Sequence, residues 1–370
     1  MPEMQSPIGA RAVVNGHACD YYGGTGYLGL QTHPDLVRAA QDALEKYGIS
    51  TAAGIRLGHP IYDQVTREAC AFFNAERALY FASGYLGALI LAQGLSEQYD
   101  HILIDESAHY SVRDGAHRTG KPMTTFRHLD ANDLAEACRR ELKPGERPLV
   151  LSDGVFPSTG EIAPAPEYLR VAEMYEGMVC LDDAHAVGVL GEHGRGTFEY
   201  FKIESARGHS TCTLSKAFGA YGGLIAGNAT FIETLERHAR IYRAATPPPL
   251  PIAAAAARAL AMQREDGSLR QQLWRNVAQA RDGLRSLGWE IEDTPVPIIC
   301  LRHRPGLDLA QLQAQLFECG ILVAHVTDYS GVPKGGAIRI AIFATHTPEQ
   351  IDRLISAVRT LIGSTNLSAP

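Results

Sequence analysis

The sequence predicts an α/β protein: a large domain built on a mostly parallel sheet, followed by a smaller C-terminal α+β domain. Three observations carry this expectation. Between about residues 76 and 227, apolar runs of strand length alternate with helical patterns. Several of these runs are apolar throughout, which is how strands covered on both faces read. A proline-rich stretch at 247–251 then separates this alternation from a second, shorter set of strands and helices. At 370 residues the chain also exceeds one ordinary core, so two units are expected.

Taken in order, residues 1–45 are expected to form an N-terminal arm and helix, 46–250 the large domain and 251–370 the small one. The opening reads as a short arm. A helix is predicted at 33–47, where Leu36, Val37, Ala40 and Leu44 share a face and Gly48 stops it. Strands of the large domain are expected at 78–81, 102–104, 149–151, 178–181 and 224–226. Most run out at a residue of chemical interest: Ser83-Gly84, Asp105, Asp153 and Asp182. Ligands of open α/β sheets sit beyond the carboxyl ends of the strands, so this placement predicts one shared site. After the prolines, a long helical pattern runs through about 285. Strands are then expected at 289–292, 298–301, 321–326 and 337–343. The last helix places Ile351, Leu354, Ile355, Val358 and Leu361 on one face.

Composition narrows the function. A net charge of −7 argues against a nucleic-acid or anionic-membrane surface. Cysteines 19, 70, 138, 180, 212, 300 and 319 stand singly, without C-x-x-C spacing. They read as reduced thiols of a cytoplasmic protein, not as a disulfide frame or a metal site. No basic-then-apolar leader is visible at the start. The longest apolar stretch, about 245–262, contains Arg258 and opens with Pro247, Pro248 and Pro249. It reads as a bend and a buried helix, not a membrane span.

The chemistry centres on Lys216, in Thr213-Leu-Ser-Lys-Ala-Phe-Gly219, about thirty residues after Asp182-Asp-Ala-His185. A lysine among small residues suits a Schiff base with an aldehyde cofactor. A carboxylate at a strand end, with a histidine three residues on, suits a pyridine nitrogen and its ring oxygen. Together they point to pyridoxal 5'-phosphate. Ser83-Gly84-Tyr85 precedes an apolar helix, and such a turn offers free N–H groups to a phosphate. Thr213 and Ser215 flank the lysine and are placed to add hydroxyls; Asp153 joins this cofactor-binding set. His109 is a candidate to stack on the ring. Arg339, inside an apolar strand, needs an anionic partner, and a substrate carboxylate fits. Each feature has a plainer reading: a surface Ser-Lys, a common helix cap, a histidine bonded to backbone, an edge arginine facing water.

These residues in this order resemble the α-oxoamine synthases, fold-type-I pyridoxal phosphate transferases. The likeness runs through Tyr27-Leu-Gly-Leu30 with His33-Pro34, Tyr47-Gly48, Ser83-Gly84-Tyr85, and Asp105 with His109-Tyr-Ser111. It continues through Asp153-Gly-Val-Phe156, Gly160 and Ile162-Ala-Pro164 to the most specific run, 182–196, which ends in Gly-Arg-Gly. Thr213–Gly219 and Val332-Pro-Lys-Gly335 before Arg339 complete it. The resemblance implies that Lys216 binds the cofactor and moves the substrate proton, and that Asp182 pairs with the ring nitrogen. It also implies that His185 bonds the ring oxygen, His109 stacks, and Gly84, Tyr85 and Thr213 hold phosphate, with Arg339 taking the amino-acid carboxylate. The implied reaction is a decarboxylative condensation of an amino acid with an acyl thioester to an α-amino ketone, by a homodimer with a shared site. Aminotransfer, or aldol- or lyase-type chemistry on the same scaffold, is the alternative. Departures from the family pattern fall where substrate is expected: Thr25-Gly26, Tyr62, Pro157-Ser158-Thr159, and Arg243-Ala244 where relatives carry Ser-Thr. Thr25 and Arg243 therefore join Arg339 as candidate substrate residues. Arg243 has three readings: the neighbouring subunit's cofactor phosphate, an anionic group of the second substrate, or plain surface.

Overall fold

The structure, a computed structural model, describes residues 3–54 and 58–365. Near its start, Asn15 and Gly16 take φ of 50° and 79°, the left-handed pair that a two-residue hairpin loop requires. They fold β1 (Arg11–Val14) antiparallel onto β2 (His17–Tyr21). The opening is thus a paired hairpin and not a bare arm, and its Asn-Gly dipeptide carried that information. Helix α1 (Pro34–Tyr47) matches its expected span. The His33 ring accepts the Asp35 N–H, Pro34 occupies the first turn, and Gly48 ends the helix at φ 75°.

The alternation follows: α2 (Pro60–Phe73), β3 (Arg77–Phe81), α3 (Gly87–Gly94), β4 (His101–Asp105), α4 (Tyr110–His117), β5 (Met123–Phe126) and α5 (Ala131–Glu141). It continues with β6 (Pro148–Asp153), α6 (Ala165–Glu173), β7 (Met178–Asp182), α7 (Thr197–Tyr200), β8 (Gly208–Thr213) and β9 (Gly223–Gly227). These strands make a seven-stranded sheet ordered β3-β9-β8-β7-β6-β4-β5. The run from β8 to β5 is parallel, while β9 is antiparallel to both neighbours. Every residue of β4, β6 and β7 is buried, which explains their unbroken apolar sequence. Strands β5 and β8 were not expected. Their Thr- and Ser-bearing sequences are only partly buried and lack an apolar run.

Beyond the sheet come α8 (Ala229–His238), α9 (Arg240–Ala244), α10 (Leu250–Glu265) and α11 (Ser268–Arg285). Asp266-Gly267 splits the expected long helix into α10 and α11. Alanines bury α10 closely against α1 and α2. Next are β10 (Ile298–Arg302), α12 (Leu309–Glu318), β11 (Ile321–Leu322), β12 (Ala324–Val326), β13 (Ala337–Ala341) and α13 (Pro348–Thr365). The 289–292 segment forms no strand. Its carbonyls at Ile291 and Glu292 accept from Arg285 and Arg281 of α11 instead of from a neighbouring strand. The run expected as one strand at 321–326 is two: β11 pairs parallel with β2, and β12 pairs antiparallel with β13. Antiparallel β10-β13-β12 is the small second sheet, and all of β13 is buried.

Candidate active site

Parallel strands end on the same side of a sheet. Asp105, Asp153, Asp182 and Thr213 close β4, β6, β7 and β8, so they share one edge. Asp153 and Asp182 are direct cross-strand neighbours. Burial pushes the Asp153 carboxyl well up, the charge of Asp182 adds to this, and the His109 N–H donated to it at 2.7 Å opposes it. Asp182 Oδ1 accepts from the Ala184 N–H at 3.1 Å, and its Oδ2 accepts from the Ser111 hydroxyl at 3.2 Å. Its neighbour Asp183 is wholly buried and bonded by Thr197 through both oxygens. A side chain at Gly196 would collide with that carboxylate, which gives the Gly-Arg-Gly tail a structural reason.

Lys216 follows β8 and faces the Asp182 end of the sheet. Its Nζ lies 2.8 Å from His185 Nε2. Burial pulls the lysine down to about 8, although the charges of Asp182 and Asp153 pull upward. The neutral amine that a nucleophile must be is therefore far more populated near physiological pH than in an ordinary lysine. His185 Nδ1 lies 2.6 Å from the Tyr27 hydroxyl. Arg339 reaches the same hydroxyl from β13 at 3.3 Å, and also donates to Pro157 O at 2.7 Å and Gly24 O at 3.0 Å. It is 8% exposed and forms no ion pair among the described residues. The plainer reading of an edge arginine facing water does not hold: β13 is the central strand of its sheet.

The 83–86 turn sits against β8. Ser83 Oγ accepts the Tyr85 N–H at 3.3 Å, and Thr213 Oγ1 bonds Ser215 Oγ at 2.8 Å. A Cβ at Gly84 would lie 2.5 Å from Thr213 Cβ, so only glycine allows this approach. His109 caps α4; its Nδ1 is 2.7 Å from Ser111 Oγ and its Nε2 2.6 Å from the Tyr329 hydroxyl. Beside this turn, a cavity of about 700 Å³ is lined by Tyr85, Leu89, Ser111, Arg118 and Arg240.

Known proteins are similar to this chain along almost its whole length. The 8-amino-7-oxononanoate synthase of Thioalkalivibrio sulfidiphilus is 36% identical over 362 residues, covering 96% of this chain and 92% of that protein. The enzyme of the same name from Alkaliphilus oremlandii is 32% identical over 370 residues, covering 99% and 93%. The Sphingomonas wittichii serine palmitoyltransferase structure superposes with a TM-score of 0.91 at 28% identity, covering 99% and 93%. The profile for aminotransferase class I and II matches residues 24–358. The chain belongs to the α-oxoamine synthases, within the aminotransferase class I and II family.

Its cofactor is pyridoxal phosphate, with which a related serine palmitoyltransferase has been solved. The α-oxoamine synthase donor set fits it here: a buried lysine drawn down to about 8, a strand-end carboxylate, and a small-residue turn that a side chain at Gly84 would fill. Of the residues singled out from the sequence, Ser83, Gly84, Tyr85, His109, Asp153, Asp182, His185, Thr213, Ser215, Lys216 and Arg339 converge. Thr25 stands next to Gly24, whose carbonyl Arg339 engages. Arg243 does not join them within one chain. It lies exposed on α9, without a side-chain partner among the described residues. Tyr62, another departure, is turned to the Pro248 carbonyl at 2.7 Å. Sequence reasoning assigned no role to Tyr27, Ser111 or Tyr329. Tyr27 and Tyr329 meet histidines 158 and 220 residues away, so no local spacing could reveal them.

Proposed function

We propose that this protein condenses an amino acid with an acyl thioester, with loss of carbon dioxide, to give an α-amino ketone. One observation carries the reading. A buried arginine that has only neutral acceptors among the described residues lies one tyrosine and one histidine away from Lys216, whose amine burial draws down to about 8. An arginine so placed calls for a carboxylate, and a lysine so placed is ready to take a proton from the adjoining carbon.

Lys216 holds the cofactor through its Nζ and moves the α-proton. Asp182 would keep a proton on the pyridine nitrogen, and His185 would donate toward the ring oxygen. His109 covers the ring face, anchored by its own N–H to Asp153. Ser83, the N–H groups of Gly84 and Tyr85, and the hydroxyls of Thr213 and Ser215 hold the phosphate. Arg339 orients the amino acid by its carboxylate, with Thr25 beside it. When bound, pyridoxal phosphate supplies an electron sink for charge developing at the α-carbon.

The working unit in this reading is a homodimer with a shared site, located in the cytoplasm. Exposed Tyr85, Tyr110 and Tyr329 around the site support the first part, and seven free thiols the second. Among the described residues, no helix is long and apolar enough to cross a membrane.

The test is a matrix of amino acids against acyl thioesters, reading free thiol and carbon dioxide together. Both released in equal amounts supports the condensation. An amino acid alone converting the cofactor to its amine form, without thiol release, identifies an aminotransferase instead.

A further inference from the structure

Among the described residues, the Tyr27 hydroxyl is the one that joins the carboxylate-binding arginine to the cofactor-facing histidine. We propose that Tyr27 is a positioning residue: held as a hydrogen-bond acceptor by Arg339, it gives its only proton to His185 Nδ1 and so fixes His185 with its hydrogen on Nε2. This rests on the placement of the cofactor at Lys216 and goes beyond it. It states which ring nitrogen donates and what sets it.

Proton counting carries the assignment. A guanidinium only donates, so the Arg339 Nη2 contact at 3.3 Å makes the Tyr27 oxygen an acceptor. Tyr27 is completely buried, and burial raises its phenol to about 12 against the opposing pull of Arg339, so it keeps its single proton. The remaining partner of that oxygen is His185 Nδ1 at 2.6 Å. The phenol must donate there, and Nδ1 must accept. Burial drives His185 far below its usual value, with the charges of Lys216, Arg339 and His109 adding to this, so the ring is neutral with one hydrogen. That hydrogen is left on Nε2, which faces Lys216 Nζ at 2.8 Å. The lysine amine accepts it in its neutral form, which prevails above about pH 8 and is the form that takes up an aldehyde. Among the described residues, the site carboxylates Asp182 and Asp153 bond to Ser111, Ala184 and His109 and not to His185.

One consequence is a link between two functions. The guanidinium expected to hold the substrate carboxylate also sets the direction of the hydrogen bond at the cofactor ring. An Nε2–H donor stabilises negative charge on the ring oxygen and eases deprotonation of the lysine-bound cofactor. Losing it should raise the pH midpoint of the cofactor's visible absorbance.

The test uses histidine-selective ¹⁵N labelling of the wild-type holoenzyme, with the His185 signals assigned by their loss in His185→Asn. The expected result is a neutral ring with its proton on Nε2. In Tyr27→Phe, the absorbance midpoint should rise by roughly one pH unit, while the cofactor stays bound. A wild-type His185 protonated on Nδ1 overturns the proposal whether or not the variant folds. So does a folded Tyr27→Phe holoenzyme with an unmoved midpoint. Wild-type protein that takes up no pyridoxal phosphate overturns the functional reading itself, and the ¹⁵N tautomer of His185 in that protein, read above about pH 9 where Lys216 is mostly neutral, still decides the role of Tyr27.

Discussion

At Lys216, burial and charge oppose each other, and burial wins: the amine falls from 10.5 to about 8 despite Asp182 and Asp153. Below that value the neutral fraction grows tenfold per pH unit, and above it the gain levels off. Cofactor uptake by the apoprotein should therefore quicken with pH and flatten above about 8. Stopped-flow absorbance on adding pyridoxal phosphate at pH values on both sides of 8 checks this. Lys216→Ala should hold no covalently bound cofactor and show no turnover. Asp182→Asn should keep the cofactor yet lose turnover by roughly a hundredfold or more, because the lost charge acts most as negative charge develops. Cofactor content and kcat measured on one preparation separate those effects. An asparagine variant at wild-type rate would mean that the ring nitrogen lies elsewhere.

Elements place these residues, and two junctions between elements deserve tests. The 83–86 turn lies so close to β8 that Gly84→Ala must push Thr213 aside. Such overpacking costs about 1–3 kcal/mol, so cofactor retention should weaken roughly tenfold, read as the apparent Kd in a dilution series. The second junction joins the two sheets. Arg302 at the end of β10 donates to Glu161 at 2.8 Å, and Glu161 and Asp105 bond the two nitrogens of His128 at 3.2 and 3.0 Å. Burial disfavours the His128 cation, but the bonds and charges of Asp105 and Glu161 outweigh it and lift the ring to about 9. Its folded value exceeds its ordinary 6.5, so its stabilisation is complete below 6.5 and fades as pH rises through about 9. Glu161 runs the other way. Burial opposes its charge, yet its partners hold it near 2, so its share is present above 4.5 and lost as pH falls through about 2. His128→Ala should lower stability by about 1.5–3 kcal/mol near neutral pH or below, and by less above pH 9. Denaturant unfolding at about pH 6 and about pH 10 measures the difference.

For the whole molecule, the sheet edge and the small sheet close on one site, and Arg339 is the stitch: it crosses from β13 to carbonyls at Gly24 and Pro157. Arg243 belongs to the same scale, because one chain leaves it exposed and, among the described residues, unpaired. If a second copy brings it to the shared site, Arg243→Ala should alter one of two constants, and sedimentation should report a dimer. Weaker cofactor retention marks a phosphate contact across subunits. A raised KM for the acyl thioester alone marks a contact with the second substrate. Unchanged values for both would leave Arg243 as plain surface.

Much of this protein was legible before folding. Lys216, Asp182, His185 and the 83–85 turn can be read because each is tied to the end of a nearby strand, and buried parallel strands announce themselves as apolar runs. Short range is what made them readable. The Asn15-Gly16 hairpin is equally local and readable from its dipeptide, whereas the polar sequences of β5 and β8 contain no comparable signal. Only the tertiary structure decided what Arg339 touches, since its carbonyl partners lie 182 and 315 residues away. It alone brought Tyr27 to His185 across 158 residues. It also divided one apolar run between two sheets, at β11 and β12. A buried charge states from sequence that it needs partners. Which atoms supply them depends on how distant segments pack.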